Sequence, residues 1–127
     1  MNTMPSVKPL AMATPGIASL LQAMSAAELD ALPFGVVEMD HEFTVRRYNA
    51  TESRYSGLPP DRVIGRHFFR DVAPCADNRH VSHRYAQSAL DESVAYTFLL
   101  LMKPAPVTLR MIKTAGDELM YLLVDWS

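Results

Sequence analysis

Apolar residues Ile17, Leu20, Leu21 and Met24 recur at helical spacing directly after Pro15-Gly16, which predicts a short helix starting there. Ser25-Ala26-Ala27-Glu28 then reads as a capping box, each polar side chain satisfying a backbone donor of the other residue. A second short helix follows and ends before Pro33. Residues 34–39 and 43–48 are rich in Val, Phe and Tyr and are joined through Asp40-His41-Glu42, the pattern of two hairpin strands. Near the other end, Ala95 to Met102 is a continuous apolar run suited to a central strand. Val107, Leu109 and Met111 alternate with Thr108 and Arg110 as a half-buried strand requires, and Ala115-Gly116-Asp117 turns the chain into a last strand, Leu119 to Val124.

The stretch between these two groups of strands has no single period. Asn49 is placed to cap a short helix that ends at Gly57, Pro59-Pro60 makes a turn, and an aromatic and basic run leads to Pro74 and Cys75. Such punctuation builds the wall of a cavity more readily than a regular core element. Asp77 or Asn78 then caps a longer helix with Val81, Tyr85 and Ala89 on one face and His80, Arg84 and Gln87 on the other. Two strands, several helices and three strands in that order predict an α+β domain: a five-stranded antiparallel sheet, short helices inserted between strands 2 and 3, and an N-terminal helical cap.

Composition narrows the function. A chain of 127 residues that is 49% hydrophobic makes one domain able to fold alone. Residues 1–24 read as leader and cap, the first fifteen of them rich in Met, Pro and small residues, and 25–127 as the domain proper. A net charge of -2 without a basic stripe argues against nucleic acid as a partner. No apolar run matches a signal peptide or a membrane span, so a cytoplasmic protein that does not enter a membrane is expected. Cys75 is the single cysteine, which excludes an internal disulfide and leaves no zinc spacing. His80 and His83 lie in a polar stretch and read as solvated, so no metal is expected.

Tyr48, Glu52 and Ser56 follow one another at intervals of four. On a helix they share a face and bring a phenol, an acid and a small hydroxyl together; the competing reading is a surface helix with Glu52 and Arg54 in solvent. Cys75 is a small buried hydrophobe or a reactive thiol. No histidine is placed by sequence to serve it as a base, so a thiol enzyme is not expected.

The segments LPFGVVEMD (Leu32 to Asp40), YNATE (Tyr48 to Glu52), VIGRHFFRDVAPC (Val63 to Cys75) and YTF (Tyr96 to Phe98) followed by Met102 together resemble the photoactive yellow protein family, PAS-type blue-light photoreceptors. The resemblance runs from about Glu28 nearly to the C-terminus and is densest up to Cys75. It implies a PAS fold and p-coumaric acid bound as a thioester on Cys75. It further implies that Tyr48 and Glu52 hold the chromophore phenolate, that Ser56 replaces a threonine supporting the tyrosine, and that light isomerises the chromophore and draws a proton from Glu52. The rearrangement that follows is the signal, read by an unidentified downstream protein.

A free phenol ionises near pH 10, so keeping it ionised at neutral pH requires about 4 kcal/mol from donors aimed at its oxygen. Phe68, Phe69, Tyr96, Phe98 and Met102 are candidates for the apolar wall around the ring. Arg66 and Arg70 are near Cys75 in sequence and are candidates to assist chromophore attachment. The chain departs from the family pattern at Leu58, where the family has an arginine. Leucine removes a gate and a positive charge, or packs on Met12 or Ile17 of the leader instead. The segment before the third strand is also shorter than in the family. The alternative function is a PAS ligand-binding or protein-interaction module that works without light.

Overall fold

The computed structural model describes residues 10–100 and 103–127. Its centre is an antiparallel sheet in the order β2-β1-β5-β4-β3, made of β1 (Gly35–Asp40), β2 (Val45–Tyr48), β3 (Leu90–Leu100), β4 (Lys103–Lys113) and β5 (Leu119–Asp125). Helices α1 (Ile17–Ala23) and α2 (Ala26–Asp30) precede it. Helix α3 (Ala50–Ser56) and single helical turns at Pro60–Arg62, Phe68–Val72, Pro74–Ala76 and Ser82–Ala86 fill the connection from β2 to β3. The architecture is therefore the α+β, PAS-like one expected, with the capping box at Ser25 and Glu28 formed in both directions. Among the described residues no helix is long and apolar enough to cross a membrane.

Both faces of the sheet are covered. Val37, Met39, Leu109, Met111, Leu122 and Val124 point into one core with Phe68, Phe69 and Tyr85 of the connecting segment. Val36, Ile112, Tyr121 and Leu123 point to the other side, against Ile17, Leu21 and Leu29 of the N-terminal helices. Ile17 and Leu21 are wholly buried there, worth roughly 1.5–3 kcal/mol each. Two-sided burial is why β1 and β5 read as nearly continuous apolar runs.

Two arginines fasten the N-terminal segment to the sheet. Arg47 pairs with Glu38, which also accepts from the Tyr121 hydroxyl, and donates to the carbonyls of Leu21 and Met24 at 2.9 and 2.7 Å. Both carbonyls lie at the end of α1, where helical partners run out; that of Leu21 also accepts from Met24 N–H. Arg110 forks onto Asp91 with two 2.8 Å bonds and donates to the carbonyls of Met12 and Thr14.

Several local expectations are corrected. No long helix follows Asp77: the Asn78 side chain accepts from the backbone N–H of His80 and Val81, and only the turn Ser82–Ala86 forms. Val81 and Tyr85 are buried as their pattern requires, whereas Ala89 is exposed. Side-chain bonding of this kind competes with helix extension. The run from Ala95 belongs to an edge strand, not a central one. β3 begins at Leu90 and alternates, with Phe98 inward and Leu99 64% exposed.

Strand β2 begins at Val45 because Phe43 adopts a positive φ of 65°, in a turn where Asp40 accepts from the N–H of Glu42 and Thr44. Arg110, expected to face solvent, is buried because the N-terminal segment covers that side. Residues 1–9 of the leader and Met102 lie outside the described residues.

Candidate functional site

Asn49 organises one end of the site. Its Oδ1 accepts from Glu52 N–H, capping α3, and from Val36 N–H of β1, while its Nδ2 donates to the carbonyls of Leu29 and Phe34. Both lone pairs of its side-chain oxygen and both of its amide N–H groups are spent inside the fold, so α3 is pinned to the start of β1. Glu52 consequently points inward and is only 3% exposed, which rules out the surface-helix reading. Tyr48 is not on the helix with it; it is the last residue of β2. Its hydroxyl reaches Ser56 Oγ at 2.8 Å, and Ser56 Oγ also accepts from Leu58 N–H. The three polar residues therefore meet as expected, but across a strand-to-helix corner.

They close one end of a cavity of about 110 Å³. Leu58, Phe68, Val72, Phe98 and Trp126 supply its apolar sides, and Cys75 lies on the same cavity with the exposed Pro74 and Leu99. The cavity is small and mostly apolar, with a few convergent polar groups. Larger depressions elsewhere, such as that of about 510 Å³ between α1 and the start of β3, are more open to solvent.

Cys75 is half-buried and unpaired. A turn at Phe68–Val72, in which Ala73 N–H closes on the Phe68 carbonyl, delivers the chain to Pro74, and Pro74 opens the next turn. The Cys75 carbonyl accepts from the Tyr96 hydroxyl at 2.5 Å and from Asn78 Nδ2 at 3.1 Å. The backbone under the thiol is thus held from two sides.

The electrostatics are unusual for a carboxyl. Burial pushes the Glu52 pKa from 4.5 up to about 7, against the hydrogen bond that its Oε1 accepts from the Trp126 indole N–H at 2.7 Å. Tyr48 is raised well above its ordinary value of 10, by burial first and then by the charge of Glu52, so it stays a neutral donor. Among the described residues no lysine, arginine or histidine lines the cavity.

Of the residues singled out in the sequence, Tyr48, Glu52, Ser56, Leu58, Phe68, Cys75 and Phe98 share the cavity. Phe69 does not line it; it packs in the core against Phe43, Phe68 and Tyr85. Tyr96 holds the Cys75 backbone instead of walling the cavity. Leu58 packs on the connecting-segment side of the sheet, away from Met12 and Ile17 on the opposite face, which removes the expected contact with the leader. Arg66 and Arg70 are exposed and do not line the cavity.

Sequence reasoning missed Trp126, Gly35 and Asn78. Trp126 is 74 residues from its partner Glu52, so no local spacing announces it. Gly35 did carry a signal, since a glycine within a strand pattern marks a close approach: a Cβ there would lie 1.9 Å from Glu52 Oε1.

Residues 29–114 match the PAS fold family. The photoactive yellow protein of Halochromatium salexigens is 34% identical over 112 residues, 85% of this chain and 90% of that protein. This chain belongs to the photoactive yellow protein family. The photoactive yellow protein of Rhodothalassium salexigens is 31% identical over the same shares. The photoactive yellow protein domain of the sensor histidine kinase Ppr from Rhodospirillum centenum superposes with a TM-score of 0.77 at 39% identity, over 84% of this chain and 96% of that one. The relatives are photoreceptor or sensor PAS domains, and membership of a family named for its colour implies a chromophore.

Proposed function

We propose that this protein is a blue-light photoreceptor carrying p-coumaric acid as a thioester on Cys75. The observation that carries the reading is one small cavity with a thiol on its wall, aromatic sides, and a buried phenol and carboxyl together at its polar end. That donor set fits a hydroxycinnamoyl group: acyl carbon on sulfur, ring between Phe68 and Phe98, phenol oxygen toward Tyr48 and Glu52. When bound, the group supplies light absorption and a double bond that isomerises.

The chain's own residues do the rest. Ser56, by turning its hydroxyl to donate, frees the Tyr48 proton for the ligand oxygen. Glu52, whose carboxyl pKa is pushed up to about 7 by burial, donates the second hydrogen bond in its protonated form and can surrender its proton. A carboxylate is then left buried, an arrangement that costs several kcal/mol and favours local opening around the site. A separate signalling protein would read that opening.

The test is intact mass and colour after treatment with an activated p-coumaric acid. Wild type is expected to gain one acyl group and turn yellow, while Cys75→Ser stays folded, unmodified and colourless. An unchanged wild-type mass would refute the photoreceptor reading and leave a light-independent PAS module.

Leu58 lines the cavity where the family resemblance places an arginine. A cation a few Å from the phenolate is worth on the order of 1 to 4 kcal/mol before screening, so the yellow band of wild type should bleach at a higher pH than that of Leu58→Arg. Acid titration of the visible band checks this, and equal midpoints would show that the position has no electrostatic role.

A further inference from the structure

Trp126 is the single tryptophan of the chain and stands just past the end of β5. Two rings fix its plane: Tyr55 stacks on it at 5.6 Å with 8° between planes, and Phe98 tilts against it at 5.7 Å. The indole N–H is thereby aimed at Glu52 Oε1, 2.7 Å away. On the same oxygen, Gly35 leaves room that any side chain would fill, since a Cβ would come within 1.9 Å.

The other carboxyl oxygen, Oε2, has no hydrogen-bond partner among the described residues, yet no fully buried side-chain oxygen or nitrogen there lacks one. Oε2 must therefore be reached from the cavity, which Glu52 lines. The carboxyl is held by one oxygen and offers the other.

We propose that Trp126 is the positioning residue of the Glu52 proton donor: its indole N–H, with the bare Cα of Gly35, seats Oε1 and turns Oε2 toward the ligand. The same N–H holds the carboxylate once the proton has left. This rests on the reading of Glu52 as the group that gives its proton to the ligand. The transfer balances simply: the O–H bond at Oε2 breaks, its electron pair stays on the carboxylate, and the proton joins the ligand's phenolate oxygen.

The charge has few other places to be answered. Among the described residues that line the cavity, Tyr48 and Cys75 are the other ionisable groups besides Glu52, and neither donates to the carboxyl. Tyr55 packs on the indole, and Asp125, the residue before Trp126, adds no positive charge. A hydrogen bond to the charged form favours that form, so the indole makes the proton easier to give and harder to recover.

The experiment begins on the protein without chromophore. The infrared carboxyl band of Glu52, assigned by its loss in Glu52→Gln, is titrated in wild type and in Trp126→Phe, which keeps a ring and loses the N–H. The midpoint is expected about one to two pH units higher in Trp126→Phe, the worth of a hydrogen bond to a charged group. In wild type the indole fluorescence should follow the same titration and lose that step in Glu52→Gln. This second measurement stands even if Trp126→Phe does not fold.

In chromophore-loaded Trp126→Phe, light-driven loss of the Glu52 proton should be slower and its recovery faster. An unchanged infrared midpoint, or a wild-type fluorescence step that survives Glu52→Gln, would overturn the proposal. Because both titrations need no chromophore, failure of acylation on Cys75 would be seen separately and would count against the photoreceptor reading alone.

Discussion

Without chromophore, the protein is expected to lose stability as the pH rises from about 4.5 to 7, and Glu52→Gln to abolish that loss. The Glu52 carboxyl is buried and its pKa is pushed from 4.5 up to about 7. Below pH 4.5 it is protonated whether the chain is folded or not and contributes nothing to the difference. Between those two values the unfolded chain releases the proton and the folded chain keeps it, so unfolding gains ground with each step in pH. Above about 7 both states are ionised and the full penalty stands, on the order of 3 kcal/mol at 1.36 kcal/mol per pH unit.

Glutamine keeps an acceptor for the indole and a donor for the cavity but cannot ionise. Urea unfolding of both proteins across this range is the measurement. The histidines and exposed carboxyls are common to both, so the difference between the two curves isolates Glu52. Parallel curves would mean that the carboxyl ionises in the folded protein as it does in water.

A comparably large effect is expected from the smallest possible substitution. In Gly35→Ala the new methyl would sit 1.9 Å from Glu52 Oε1 and 2.9 Å from its Cδ, and Glu52 cannot retreat without leaving the indole. Gly35 is itself paired to Val124 in the sheet and cannot move away. Overpacking of this kind costs about 1–3 kcal/mol, and the displaced carboxyl should lose its bond to Trp126.

Glu52→Ala removes the obstacle, so adding Gly35→Ala to it should cost little. Unfolding free energies of the two single variants and the double variant, measured where Glu52 is protonated in the folded state, close the cycle. Additive costs would show that the glycine is there for some other reason. The backbone at Gly35 has no positive φ, which leaves space as the physical cause.

Much of this protein was legible along the chain. The spacing of Ile17, Leu20, Leu21 and Met24, the capping box at Ser25, the alternation from Val107 to Met111 and the turn at Gly116 each act over a few residues, and each element formed where its pattern placed it. The same holds for the order of strands and helices that dictates the sheet. Cys75, Tyr48, Glu52 and Ser56 stood out through residue type, spacing and the wording around them.

Tertiary structure decided what depends on distance. The run from Ala95 could not reveal that it would lie at a sheet edge, because that follows from which strands β4 and β5 choose as neighbours. Burial of Arg110 and placement of Leu58 on the face away from Met12 depend on α1 crossing the far side of the sheet. Most of all, the state of Glu52 is set by a glycine that precedes it by 17 residues and a tryptophan that follows it by 74. A carboxyl's ionisation reflects the groups within a few Å of it, and folding alone brings those groups together.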